Sequence, residues 1–216
     1  MSDIFSEVDE DVRKEQYSRL WKRFAPFVYV VAGLIVVGTA GYRGYEYWQD
    51  QRSMEAGQTF LEGLELSQAG DFTGAQAVFS QLEDKLGGYP MLAKMRNASE
   101  LAAQGKNTEA VTMLEEVSAD SSVKPLYKGL ADVRTAYLLL DAGDLDGAKG
   151  KVEGLAMAGN PWRFAALEVL GTAEYQAGNL DQAKARFDEI VNDAGAPGDF
   201  AGRARVFLDL IAGTQG

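Results

Sequence analysis

The side chains that most often do covalent, acid–base or metal chemistry at neutral pH are missing from this chain. Among its 216 residues there is no histidine and no cysteine. That removes the commonest general base, the commonest metal ligand, thiolate nucleophiles, disulfides and cysteine-based zinc sites together. Carboxylates are plentiful, but pairs such as Glu115-Glu116 and Asp188-Glu189 fall where a helix meets solvent, and a solvated face accounts for them. No Gly-rich phosphate loop follows a strand pattern. The residue types and spacings therefore point away from an enzyme and toward no metal and no cofactor. What remains is the chemistry of binding. Apolar and aromatic residues recur at helical spacing, and small residues recur where helices must approach closely.

The residues from Phe24 to Tyr42, FAPFVYVVAGLIVVGTAGY, carry no charge and are bracketed by Lys22-Arg23 and Arg43. At 1.5 Å per residue this stretch spans roughly 29 Å, near the thickness of a bilayer's hydrocarbon core. Lys/Arg counts near the span set orientation. Arg13, Lys14, Arg19, Lys22 and Arg23 precede it, and only Arg43 and Arg52 follow within a similar distance. This predicts a cytoplasmic N-terminus and a C-terminal domain on the far side. Trp21, Phe24 and Phe27 on one side, with Tyr42, Tyr45, Tyr47 and Trp48 on the other, suit the two headgroup regions. A cleaved signal peptide is the rival reading, but its n-region would be long and acid-rich, and the apolar run exceeds a usual h-region. A buried helix of a soluble protein is the third. Gly38, Ala40, Gly41 and Gly44 give the span a small-residue face fit for a second copy or for a partner's membrane helix.

Net charge divides unevenly. Residues 1–23 carry five Lys/Arg against six Asp/Glu, and residues 43–216 carry 16 against 26. A domain at −10 is a poor match for nucleic acid, whose phosphates need a basic surface. It would also stand off from anionic headgroups. Before the span, Ile4, Phe5, Val8 and Val12, then Tyr17, Leu20, Trp21 and Phe24, mark an amphipathic stub over 1–23. It serves either as a topology-setting segment or as a docking peptide.

Beyond the span the chain repeats. Gly70, Gly105, Gly143 and Gly178 lie 35, 38 and 35 residues apart. Five residues after each comes Ala75, Ala110, Ala148 or Ala183, and nine after comes Phe79, Leu114, Val152 or Phe187. Seven before each stands a small residue: Gly63, Ala98, Ala136 or Gly171. Pro90, Pro125, Pro161 and Pro197 follow the units. The glycine is expected to end a first helix, A, in a left-handed turn. Asp71, Asn107, Asp144 or Asn179 lies near the start of a second helix, B, and is placed to cap it. The alanine is expected against the small residue, and the proline to stop helix B. This pattern resembles the tetratricopeptide repeat, most clearly in GTAEYQAGNLDQAKARFDEI at 171–190. The fold expected is all-α: a single N-terminal transmembrane helix, then a tetratricopeptide-like α-solenoid of about four helix pairs plus a C-terminal capping helix. The segments are a stub 1–23, a span 24–42, a helical stalk 43–55, repeats over 56–197 (about 56–89, 91–124, 129–161 and 164–197), and a cap and tail 198–216. The span is expected to run on into the first helix A, with a kink near Gly57 or Gly63 as the alternative.

The order of parts, with G-Y-R at 41–43, Tyr47-Trp48 just after it and four loose repeats, resembles the ancillary SecYEG translocon subunit family (YfgM-like) over nearly the whole chain. The opening MSDIFSEVDEDVRKEQ is similar to the alphaproteobacterial version. The resemblance implies a bacterial inner-membrane protein with its repeats in the periplasm, associating with Sec translocon components, periplasmic chaperones or client chains. It implies no catalytic residue. Solenoids of this type bind on the face lined by A helices. That geometry singles out Phe60, Leu64, Met95, Val133, Tyr137, Leu140 and Tyr175 as a candidate concave groove, with Ser67, Ser99, Asp141 and Gln176 as polar neighbours. Ordinary core packing, or a groove filled by the chain's own last helix, is the competing reading. A structural subunit of another inner-membrane assembly, respiratory or division-related, is the alternative function.

Overall fold

The computed structural model describes the backbone of residues 3–215 apart from 84 and 86, and side chains from Trp21 onward apart from 23, 84, 86 and 215. The apolar side chains of the stub (Ile4, Phe5, Val8, Val12, Tyr17, Leu20) lie outside the described residues, as do those of Arg13, Lys14, Arg19 and Arg23. The chain divides into two compact units, 1–55 and 56–216. Among the described residues every regular element is helical.

The first unit is a single helical segment, the leading part of α1 (Asp3–Gln68). Its Phe24–Gln68 portion is long and apolar enough to cross a membrane. Through the uncharged stretch the large side chains stand free of the protein: Phe27, Tyr29, Leu34, Val36 and Val37 are all at least two-thirds exposed or close to it. Thr39 Oγ1 donates to the Ile35 carbonyl at 2.7 Å, so this hydroxyl is satisfied by its own helix. Beyond it the polar side chains pair locally. Arg52 lies over the Trp48 ring at 3.8 Å, Gln51 Nε2 donates to Tyr47 Oη at 3.2 Å, and Arg43 meets Glu46 at 3.3 Å.

The second unit takes the end of α1 as its first A helix; helical structure passes Gly57 and Gly63 without a break. There follow α2 (Phe72–Ser80), α3 (Tyr89–Ala103), α4 (Asn107–Ala119), α5 (Pro125–Asp141), α6 (Leu145–Val152) with a short 3-10 turn, α7 (Arg163–Gln176), α8 (Leu180–Val191) and α9 (Gly198–Gln215). From α2 onward each helix packs chiefly on its neighbours in the chain, with α7 also meeting α5 and α9 one step further along. Four apolar cores follow one another. They centre on Phe79 and Leu82, on Leu114 and Val117, on Val152 and Val169, and on Phe187 and Ile190.

All four repeat glycines adopt positive φ, between 76° and 82°, which an L side chain resists. Each makes the same pair of closing bonds. At the first, Gly70 N–H donates to Ser67 O and Asp71 N–H to Leu66 O, both at 3.0 Å, and the pair recurs at 105/106, 143/144 and 178/179. The otherwise orphaned carbonyls of helix A are thereby satisfied. Gly213, 35 residues beyond Gly178, is in phase with them yet stays helical.

Capping is uneven. Asp71 accepts from Gly74 N–H at 2.9 Å and Asp144 from Gly147 N–H at 3.0 Å. Asn107 is the first residue within α4 and so is out of phase to cap it. Asn179 sits at the cap of α8, but its Nδ2 donates to Glu174 Oε2 at 2.7 Å instead. Asp71→Ala and Asp144→Ala should each cost about 1 kcal/mol in denaturant unfolding, and Asn107→Ala clearly less.

One further expectation is corrected. Two of the prolines, Pro90 and Pro125, open the next A helix rather than stop helix B, and Pro161 and Pro197 lie just ahead of α7 and α9. Pro90 and Pro125 occupy the first helical turn of α3 and α5, where an N–H has no intrahelical partner to lose. The small residue before the turn shares a core with the alanine in the middle repeats, Ala98 with Ala110 and Ala136 with Ala148, and in the outer repeats it also meets the large residue of helix B. A Cβ on Gly63 would come 2.5 Å from the Phe79 ring, and one on Gly171 would come 2.8 Å from Phe187. Where that small residue is Ala98 or Ala136, the helix B residue in the same core is the smaller Leu114 or Val152. Volume is traded across the pair to hold interior packing density.

Candidate interaction face

The candidate groove residues are dispersed by the structure. Met95, Val133 and Leu140 are no more than 5 % exposed and belong to two different cores. Phe60 and Leu64 pack against the first core, with the Phe60 ring 5.4 Å from Phe79 and 6.3 Å from Tyr89. Tyr175 is covered edge-on by Phe207 of α9 at 5.5 Å. Only Tyr137 lies open, at 36 % exposure. The physical reason is that a central A helix has helices on more than one side. In α7 every residue from Ala165 to Gly171 is buried, so the most apolar stripe is the one the neighbours have already taken.

What runs across the A helices instead is a series of polar ties. Ser67 Oγ on α1 donates to Glu100 Oε1 on α3 at 2.8 Å. Arg134 on α5 donates to the Met95 carbonyl at 3.3 Å and to Ser99 Oγ, both on α3. Tyr137 Oη on α5 donates to Glu168 Oε2 on α7 at 2.6 Å. Arg203 on α9 grips the same carboxylate with two donors, one of them at 2.9 Å. Each successive pair of A helices is thus joined by at least one directional bond. Glu168 is nearly buried, and Arg203 and Tyr137 close over it.

The electrostatics follow. Burial first, then the Glu168 carboxylate, pushes the Tyr137 phenol well above its ordinary value, so it remains a donor. The hydrogen bond to Glu168 raises the Arg203 guanidinium. Burial, with Arg96 adding like-charge repulsion, lowers Arg134. These ties were not legible in the sequence because the residue type at each position changes from repeat to repeat: six before the glycine stand Leu64, Ser99, Tyr137 and Thr172, and ten before it Phe60, Met95, Val133 and Glu168.

Arg163 at the start of α7 pairs with Asp193 beyond α8. The Gly195 N–H first, then Arg163, holds the Asp193 carboxyl below its ordinary 3.8. A carboxyl depressed in the folded state adds stability that is complete above its unfolded value and is lost as pH falls through the folded one. Acid unfolding below about pH 4 should therefore be shallower in Asp193→Asn than in the parent, measured by helical circular dichroism against pH.

The small residues proposed for membrane contact lie on α1 as an open strip. Gly38, Ala40, Gly41 and Gly44 are exposed, and a Cβ built on any of the three glycines meets nothing. Among the described residues no group of acidic side chains is arranged to hold a metal ion.

The geometry of paired helices closed by glycine turns agrees with the comparisons. Residues 18–206 match the model of the tetratricopeptide repeat-like domain family, and the chain belongs to that family. No curated protein matches the sequence. The fold is similar to a tetratricopeptide repeat protein from Parabacteroides merdae, with TM-score 0.57, 17 % identity, 74 % of this chain covered and 60 % of that one. It is also similar to the nearly identical TPR-like repeats of a Podosopora anserina protein assigned as a kinesin light chain, with TM-score 0.52, 17 % identity, 73 % of this chain and 93 % of that one. The chain spans less than two-thirds of the first of these. At such identity the likeness is one of fold. A fold of this kind is typically a non-catalytic scaffold for protein–protein interaction.

Proposed function

We propose that the chain is a membrane-tethered interaction module of the bacterial inner membrane. Its N-terminus is cytoplasmic, residues 24–42 cross the bilayer, and the repeats work in the periplasm, where they assist the Sec translocon and export chaperones with newly translocated proteins. The observation that carries this is an uncharged, solvent-exposed helical stretch of bilayer length joined to a repeat fold whose ordinary work is binding other proteins. The five-to-two excess of Lys/Arg before the span supports the orientation. The order of parts and the aromatic-Arg exit from the span, similar to the YfgM-like ancillary subunits, support the choice of partner. Photo-crosslinking in living cells from position 137 should capture a translocon component, an export chaperone or an exported chain. Recovery of none of these sinks the Sec reading.

The open strip at Gly38, Ala40, Gly41 and Gly44 favours a second reading, a structural subunit held in another membrane complex through its span. A crosslink from position 41 to a single membrane protein, in stoichiometric amounts, selects it. A crosslink from 41 to the chain itself identifies a homodimer instead.

A further inference from the structure

The outward face of α9 departs from what the end of a solenoid needs, since a terminal repeat ordinarily turns a polar surface outward. The inner side of α9 is apolar and covered, with Ala204 and Ile211 no more than 1 % exposed. Its outer side is apolar as well. Val206 is 58 % and Leu210 50 % exposed, and a Cβ built on Gly202 or Gly213 meets nothing. At 3.6 residues per turn these four positions fall within about 80° of arc, as one stripe along the helix. Val206 stands seven residues before Gly213, the place that Gly63, Ala98, Ala136 and Gly171 hold before the four turn glycines. In the outer repeats helix B packs there, the Phe79 ring against Gly63 and the Phe187 ring against Gly171. On α9 the equivalent face is bare among the described residues, and a valine fills the slot that a large helix B side chain would take.

We propose that this face docks α9 of a second copy of the chain, joining two solenoids end to end through an antiparallel helix pair. Charge selects that occupant. Arg205 and Asp209 lie one turn apart on the same flank of the stripe, and among the described residues neither forms an ion pair. Arg203, by contrast, is engaged with Glu168 and Asp199. A two-fold axis level with Phe207 brings like flanks together. Arg205 then stands opposite Asp209 of the second copy, Asp209 stands opposite the second copy's Arg205, and the Val206–Leu210 stripes cover each other. A parallel arrangement would set Arg205 against the apolar flank at Leu210, where its charge has no partner. The two glycines lack side chains that would hold the helix axes apart. The contact is separate from the small-residue strip of the span and from the choice of translocon partner.

The chain has no cysteine, so one introduced thiol reports one contact. The test oxidises the full chain carrying Val206→Cys, purified in detergent micelles, with copper phenanthroline and reads the product on non-reducing gels. Disulfide-linked dimers are expected. Adding Arg205→Asp sets carboxylates face to face at both ends of the pair and should lower the yield about tenfold. Adding Asp209→Arg to that variant should restore the yield, because the swap returns opposite charges across an antiparallel pair. All three positions are exposed, so helical circular dichroism should not change. The proposal is overturned if Val206→Cys stays monomeric, if Met157→Cys, exposed elsewhere on the domain, gives as much dimer, if Arg205→Asp leaves the yield unchanged, or if the swap fails to restore it. Gly41→Cys reads the span separately: dimers there with none at 206 assign the pairing to the span and sink the α9 contact. No cellular partner is present, so failure here is separable from a failure of the crosslinking at position 137.

Discussion

Phe187→Ala should lower the stability of the C-terminal repeats by about 3–5 kcal/mol, the largest effect expected of any single truncation in the domain. The ring is fully buried and fills the slot left by the missing side chain of Gly171. Its other face stacks on Phe207, with centroids 4.6 Å apart and planes 7° from parallel. Removing it opens a cavity that α7, α8 and α9 all border, and Gly171 has no atoms with which to collapse into it. Because helices pack on near neighbours, the loss should stay local. Hydrogen exchange should quicken across residues 163–215 while α3 and α4 keep their protection. Equal loss of protection throughout would show instead that the repeats unfold as one unit. Phe79→Ala should give the mirror result at the other end, without the contribution of a second stacked ring.

Leu34→Asp combined with Val36→Asp should release the protein from the membrane. Both positions lie in the middle of the uncharged run, and both side chains are exposed. Each aspartate at the centre of a spanning helix costs about 2.5–3.5 kcal/mol of insertion free energy. Alkaline washing of membranes should leave the parent in the pellet and bring the double variant into the supernatant. Gln51→Asp, beyond the run, should leave the parent behaviour intact. If the double variant stays in the pellet, the span reading is wrong and the stretch is held to the membrane by something else.

The repeats were readable because their constraints are covalent and local. Only glycine accepts the backbone at 70, 105, 143 and 178 without strain, so those positions leave a periodic mark. The apolar run at 24–42 is legible from composition alone, and the structure makes it part of a helix long and apolar enough to cross a membrane. The interaction face was not readable. Choosing the apolar positions of A helices selects residues such as Met95, Val133 and Leu140, which the adjoining helices bury. The polar contacts that do cross between A helices depend on which neighbour a long side chain reaches, and the repeat position that is Glu168 in the fourth unit is Phe60, Met95 or Val133 in the others. Asn179 shows the same limit at small scale. Its place in the sequence is that of a cap, and an acid five residues earlier takes its amide.

Neighbour-to-neighbour packing has a consequence for how the domain is made. A fold whose contacts are short in sequence can settle in order, each helix docking on the one already present, without waiting for a distant strand or a closing terminus. A chain that emerges from a narrow exit one segment at a time therefore need not keep long apolar stretches bare while the remainder arrives. Newly threaded protein of this design protects itself from aggregation as it appears, before any helper reaches it.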